Sequence, residues 1–207
     1  EDSIGLWEAG PSAGCFRHCT ATAALGGFYY DIGQYYDARI QLASAVALIR
    51  ENEEMTAIEL ADALNNLANI YSDYEDYGSA LVYYREALAI YRQSDPAAGA
   101  DQSPPSDWLL YNTARSCYHT QQYTEAEKLL SELVQRFSET PLSDEDAFRS
   151  GCYYLTKVFL KLEKIDLATQ TLRKASAAVE IHFSEDTQVF AEMLLENAEL
   201  HATLNQT

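Results

Sequence analysis

The chain has 207 residues, with 32 acidic against 14 basic side chains and a formal net charge of -18. At 47% hydrophobic it is long and apolar enough to bury a core, which excludes an acidic disordered tail. The charge lies in both halves, 15 acidic and 5 basic residues in 1–100 against 17 and 9 in 101–207, and it opposes nucleic acid and anionic lipid, which need clustered Lys and Arg. No run of about 18 apolar residues is present to span a membrane.

In chain order, the opening Glu1-Asp2-Ser3 shows no basic and apolar leader pattern, so the sequence reads as a fragment or processed piece of something longer. Residues 1–17 read as an N-terminal extension in which Trp7 can pack on the first helix pair. Cys15, His18 and Cys19 form a cluster, but a structural zinc site wants four ligands and no second pair is present. Small residues on a helix are the expected reading, with no metal and no cofactor. Four scattered cysteines imply a reducing, cytoplasmic compartment. A single sequon at Asn205 is the one feature pointing the other way.

Low Gly and Pro content, 9 and 5 residues, with long Ala, Leu, Glu and Tyr stretches predicts an all-α chain. Nine helices are expected, at about 18–31, 34–49, 56–72, 76–92, 104–120, 123–137, 143–161, 164–181 and 184–204. Thr56 with Glu59 is a capping box, Ser143 with Asp146 a similar start, and Ser184 opens the last helix. Gly33 closes the first helix and Gly78 sits at the corresponding turn of the next pair. Residues 93–107, rich in Pro, Ser and Asp, read as a loop.

The helices repeat. Aligned on Ala38, Ala80, Ala126 and Ala168, the intervals are 42, 46 and 42 residues, and the extra four fall at that loop. Four residues later stand Leu42, Tyr84, Leu130 and Leu172; three beyond those stand Ala45, Ala87, Leu133 and Ala175. Three before the small residue are Tyr35, Tyr77, Tyr123 and Ile165, nine before it Tyr29, Tyr71, Cys117 and Phe159, and twelve before it Gly26, Ala68, Ala114 and Thr156. Spacings of 3, 4 and 7 place these on one face of each of two helices, so each unit is a helix pair that must share its core with a neighbour.

This register resembles the tetratricopeptide repeat, and "ELADALNNLANIYSDYEDYGSALVYYREALAIYRQ" is most similar to its kinesin-light-chain-like subclass of 42-residue repeats. The resemblance implies a right-handed α-solenoid over residues 18–207, with repeats at about 18–50, 56–92, 104–137 and 143–181 and a capping helix at 184–204. It also implies a concave groove lined by the first helix of each pair. The groove places of the first repeat would be Thr20, Ala23, Ala24, Gly27, Tyr30 and Asp31. Those of the second would be Asp62, Asn65, Asn66, Asn69, Ser72 and Asp73. The third would supply Trp108, Tyr111, Asn112, Arg115, Tyr118 and His119, and the fourth Ser150, Tyr153, Tyr154, Lys157, Leu160 and Lys161.

Asn65, Asn66 and Asn69 are then candidates to hold an extended backbone, since Asn offers both donor and acceptor, with Asp62 and Asp73 as further partner-binding candidates beside them. Trp108, Tyr111, Tyr118 and Tyr153 are candidate anchors, although aromatic residues also pack between repeats. Arg115 and Lys157 are candidates beside them for a carboxylate or phosphate, and Asn112 and Lys161 complete the partner-binding candidates. The family's carboxylate clamp for chaperone C-termini would need Lys and Asn where Ala23 and Gly27 stand, and only Asn66 fits it. "DYEDYG" fails as a calcium loop because Tyr84 stands where its closing Glu belongs. With no catalytic signature, the chain is expected to be a non-enzymatic protein-interaction module, a monomer or weak dimer, binding a peptide or protein segment. The alternative is a regulatory or sensor domain of a larger signalling enzyme that contacts its own chain.

Overall fold

A computed structural model describes residues 11–52, 55–93, 105–139 and 145–182, and there the chain folds into eight α-helices. These are α1 (Pro11–Asp31), α2 (Tyr35–Glu51), α3 (Ala57–Asp73), α4 (Tyr77–Gln93), α5 (Asp107–His119), α6 (Tyr123–Glu139), α7 (Glu145–Lys161) and α8 (Ile165–His182). The first helix begins at Pro11 rather than near 18, and proline is well placed in a first turn because its missing N–H has no intrahelical partner there. The expected ninth helix and its Ser184, the Ser143 start, Trp7 and most of the 93–107 loop lie outside the described residues.

The chain divides into two compact units, Glu1–Pro104 and Pro105–Thr207. In the first, α1 packs on α2, α2 on α3 and α3 on α4; in the second, α5 packs on α6, α6 on α7 and α7 on α8. The repeat register explains the cores of both. Ala38, Ala80, Ala126 and Ala168 are fully buried, as are Leu42, Tyr84 and Leu130, with Leu172 nearly so. Small side chains at the first place let paired helices approach, and large ones four residues on fill the space beside them. Gly26 shows how tight the approach is, since a Cβ there would stand 2.6 Å from Leu42 Cγ and 3.2 Å from the Leu42 backbone nitrogen.

Each helix pair closes with the same turn. In the first, Gly33 N–H donates to Tyr30 O (2.9 Å) and Gln34 N–H to Tyr29 O (2.8 Å), with Gly33 at φ +76°. The same bonds recur at Glu75 and Asp76, at Gln121 and Gln122, and at Glu163 and Lys164. The residue corresponding to Gly33 is therefore Glu75 (φ 60°), Gln121 (63°) or Glu163 (57°), each left-handed. Gly78, expected at this turn, lies inside α4 instead. The sequence cue misled because three of the four turns carry the strained residue without a glycine to mark it.

Helix starts follow capping chemistry. Thr56 and Glu59 form the full capping box of α3. Ser106 Oγ accepts from Leu109 N–H (3.1 Å) at the start of α5, and Arg136 holds the preceding backbone by donating to Pro105 O (2.8 Å).

Candidate functional site: the faces of the first helices

In the first unit six of the anticipated groove residues of α1 and α3 line one pocket. Thr20, Ala23, Ala24 and Gly27 of α1 face Glu59, Asp62, Ala63 and Asn66 of α3 around a pocket of about 250 Å³ that Ile49 and Met55 complete. The remaining candidates there are partly committed to the fold. Asn69 Oδ1 accepts from the hydroxyl of buried Tyr84 (2.7 Å). Asp73 Oδ2 accepts from Tyr30 (2.8 Å), and Asp62 Oδ1 from Tyr91. Burial and the bond to Asp62 push the Tyr91 phenol upward, so it stays a neutral donor. Asn65 Oδ1 is buried with no hydrogen-bond partner, while Ser72, expected in the groove, is 2% exposed. Two of the three asparagines are thus not simply displayed for a ligand.

In the second unit, α5 and α7 carry a continuous ring cluster. Trp108 meets Tyr111 edge-on (centroids 5.4 Å), and Tyr111 meets Tyr154 (5.7 Å). Tyr154 also meets Tyr118 (5.5 Å) and Tyr153 (5.4 Å), and its hydroxyl lies 3.3 Å from His119 Nε2. Such edge-to-face pairs each add about 0.5–1.5 kcal/mol beyond the area they bury. The cations sit on these rings rather than apart from them: Lys157 Nζ lies 5.0–5.1 Å from the centroids of Tyr118, Tyr153 and Tyr154, and the Arg115 guanidinium 5.8 Å from that of Tyr111. Burial, with the neighbouring Tyr123 and Tyr153, raises the Tyr118 phenol above its usual range.

The four candidate anchors differ in exposure. Tyr111 is only 8% exposed and serves the packing between helices, whereas Trp108 at the rim is 41% exposed. Asn112 is half-buried on α5, and Lys161 is exposed at the end of α7. Two residues matter more than the sequence suggested. Tyr154, at a recognised groove place, was not among the candidates, yet it touches four of the cluster's rings. Glu59 was read only as a cap and also borders the first pocket.

Cys19, Cys117 and Cys152 are all buried. Cys19 is buried under Asn52 (Nδ2 to Sγ 3.8 Å) while His18 beside it is exposed. Burial pushes the Cys152 thiol up to about 12, far from a reactive thiolate at neutral pH.

Residues 18–93 match the sequence model of the tetratricopeptide repeat. No curated protein matches the chain. Among solved structures, nearly identical TPR-like repeats described as kinesin light chain from Podosopora anserina share 18% identity, cover 80% of this chain and 77% of that one, and superpose with a TM-score of 0.59. BtubC (BKLC) from P. vanneervenii shares 15% identity over 92% of this chain and 82% of that one, at a TM-score of 0.69. YrrB, described as a TPR protein with an unusual peptide-binding site, shares 15% over 86% and 84%, at 0.58. At these identities the likeness is one of fold.

Proposed function

We propose that this chain, which belongs to the tetratricopeptide repeat proteins, is a non-catalytic interaction module that binds a peptide or protein segment on the faces of its first helices. The observation that carries the reading is the ring cluster of α5 and α7, which holds two cations among aromatic faces and leaves Trp108 exposed at its rim. Core packing accounts for Tyr111, whereas Trp108 keeps 41% of its surface in water beside the cluster. Trp and Arg set among rigid rings are the residue types that dominate interface energies. The cations are preorganised by the tyrosines, so a carboxylate-bearing segment with an apolar or aromatic anchor meets a charge that needs no further ordering.

The test is an array of immobilised peptides graded in acidity and aromatic content, with titration of the best binders. Trp108→Ala should weaken them by about 2 kcal/mol or more, roughly thirtyfold. Arg115→Gln combined with Lys157→Gln should selectively weaken the acidic peptides, with circular dichroism unchanged. Undiminished binding by both variants would remove the second unit's first-helix face as the site.

A further inference from the structure

The pocket between α1 and α3 carries a feature that packing does not explain. Gly26 and Gly27 stand together inside α1, and only one of them is required by its neighbours. At Gly26 an added Cβ would strike Leu42, whereas at Gly27 it would meet nothing within 4 Å. Glycine inside a helix costs stability against alanine, so Gly27 gives that up without closing any contact. What it leaves is open space in the pocket wall.

The opposite wall carries two carboxylates. Glu59, which closes the capping box of α3, and Asp62, which accepts from Tyr91, lie three apart on α3 and both border the pocket. Glu59 Oε2 accepts from Thr56, and Asp62 Oδ1 from Tyr91. Each carboxylate keeps one oxygen that bonds no donor among the described residues, and no cation lines the pocket. Apart from Thr20 and Asn66 the rest of the lining is apolar, formed by Ile49, Met55, Ala63, Gly27 and the alanines of α1.

We infer that this pocket receives one lysine or arginine side chain from a basic peptide segment. A largely apolar lining that includes two carboxylates matches a methylene stem ending in a cation, which buries its stem and keeps its head among polar groups. A wholly apolar side chain would strip water from the carboxylates and return no bond to them. The missing side chain at residue 27 makes room for the stem. This inference rests on the reading that the first-helix faces bind peptides, and it names the ligand chemistry for the first unit.

The experiment titrates the full chain with two end-blocked alanine pentapeptides, one with a central lysine and one with norleucine, monitoring the Gly27 and Ala63 amides by NMR. The lysine peptide should shift both amides saturably and bind about tenfold more tightly than its norleucine counterpart, the margin expected of a charge-assisted bond. Gly27→Leu fills the pocket with a better helix former, so binding should be lost while thermal stability holds or rises. Asp62→Asn should weaken the lysine peptide and flatten its salt dependence. Equal binding of the two peptides would overturn the charge assignment while leaving a peptide site. Unchanged lysine binding by a folded Gly27→Leu variant, or no saturable shift with either peptide, would overturn the pocket. Trp108-dependent binding on the second unit judges the underlying reading separately.

Discussion

At matching places of the repeat, the two units have solved the same packing problem with different chemistry. Where the first unit has Asp62, Asn65, Asn69, Ser72 and Asp73, the second has Trp108, Tyr111, Arg115, Tyr118 and His119. The supporting helices change in step. Tyr91, whose hydroxyl holds Asp62, becomes Phe137, which stacks on Phe148 at 3.9 Å; Tyr84, whose hydroxyl holds Asn69, becomes Leu130. In the first unit, then, phenols of the second helices reach up to fix a polar face. In the second, hydrocarbon stands at those two places, and the face is held through ring–ring and cation–ring contacts, with Tyr123 of α6 packed on Tyr118. One backbone design thus carries an acidic slot with small walls and an aromatic platform with fixed cations, because the core positions are separate from the display positions.

If that separation is real, the core should respond alike in both units. Leu42 and Leu130 occupy the same place and are both fully buried. Truncating either to alanine should cost about 2–5 kcal/mol, measured by urea denaturation, because the cavity cannot collapse against helices already in contact. Two losses within about 1 kcal/mol of one another would sharpen the equivalence. A loss in one unit that is negligible in the other would break it.

The turns offer a smaller contrast. Gln121 holds φ 63° where the first turn has Gly33 at 76°. A side chain in the left-handed region costs about 1–2 kcal/mol. Gln121→Gly should therefore stabilise the chain by up to about 1 kcal/mol once the glycine's extra unfolded-state freedom is subtracted, and Gly33→Gln should destabilise it by a similar amount. Thermal unfolding of the pair reads both signs. The same sign for both would mean that the recurrent hydrogen bonds of the turn do not make the positions equivalent.

The fold was legible because helix pairing leaves a periodic trace: Ala38, Leu42 and Ala45 and their counterparts are spaced by the geometry of the helix itself. The turn position was not, because Glu75, Gln121 and Glu163 carry no mark of a positive φ and the nearby Gly78 is a false one. The candidate site was legible in its location and less so in its partners. Nothing local in the sequence ties Asp62 to Tyr91 or Lys157 to Tyr118, since those meetings depend on how far a side chain reaches across a helix pair. Tyr111 shows the same limit, since its register marks a groove place while its side chain is 8% exposed.

The smallest expected effect concerns the residue that precedes each second helix: Gln34, Asp76, Gln122 and Lys164. Only Asp76 places a carboxylate there, with Oδ1 accepting from Ser79 N–H at 3.1 Å, and the hydrogen bonds from Ser79 lower its pKa below the ordinary aspartate value. Lys164, the wrong charge for a helix start, instead reaches Glu127 at 2.6 Å. Asp76→Ala should cost about 1 kcal/mol at neutral pH, the usual worth of a cap. Because the folded-state pKa is the lower one, that stabilisation is fully present above the unfolded value near 3.9 and is lost as pH falls through the folded value. The difference in stability between wild type and Asp76→Ala should accordingly shrink in acid, while that between wild type and Gln122→Ala stays flat across the same range. Taking differences removes the contribution of the other acidic residues, which are common to all three chains. Parallel curves for the two variants would show that the carboxylate at Asp76 does no more for its helix than the amide at Gln122 does for its own.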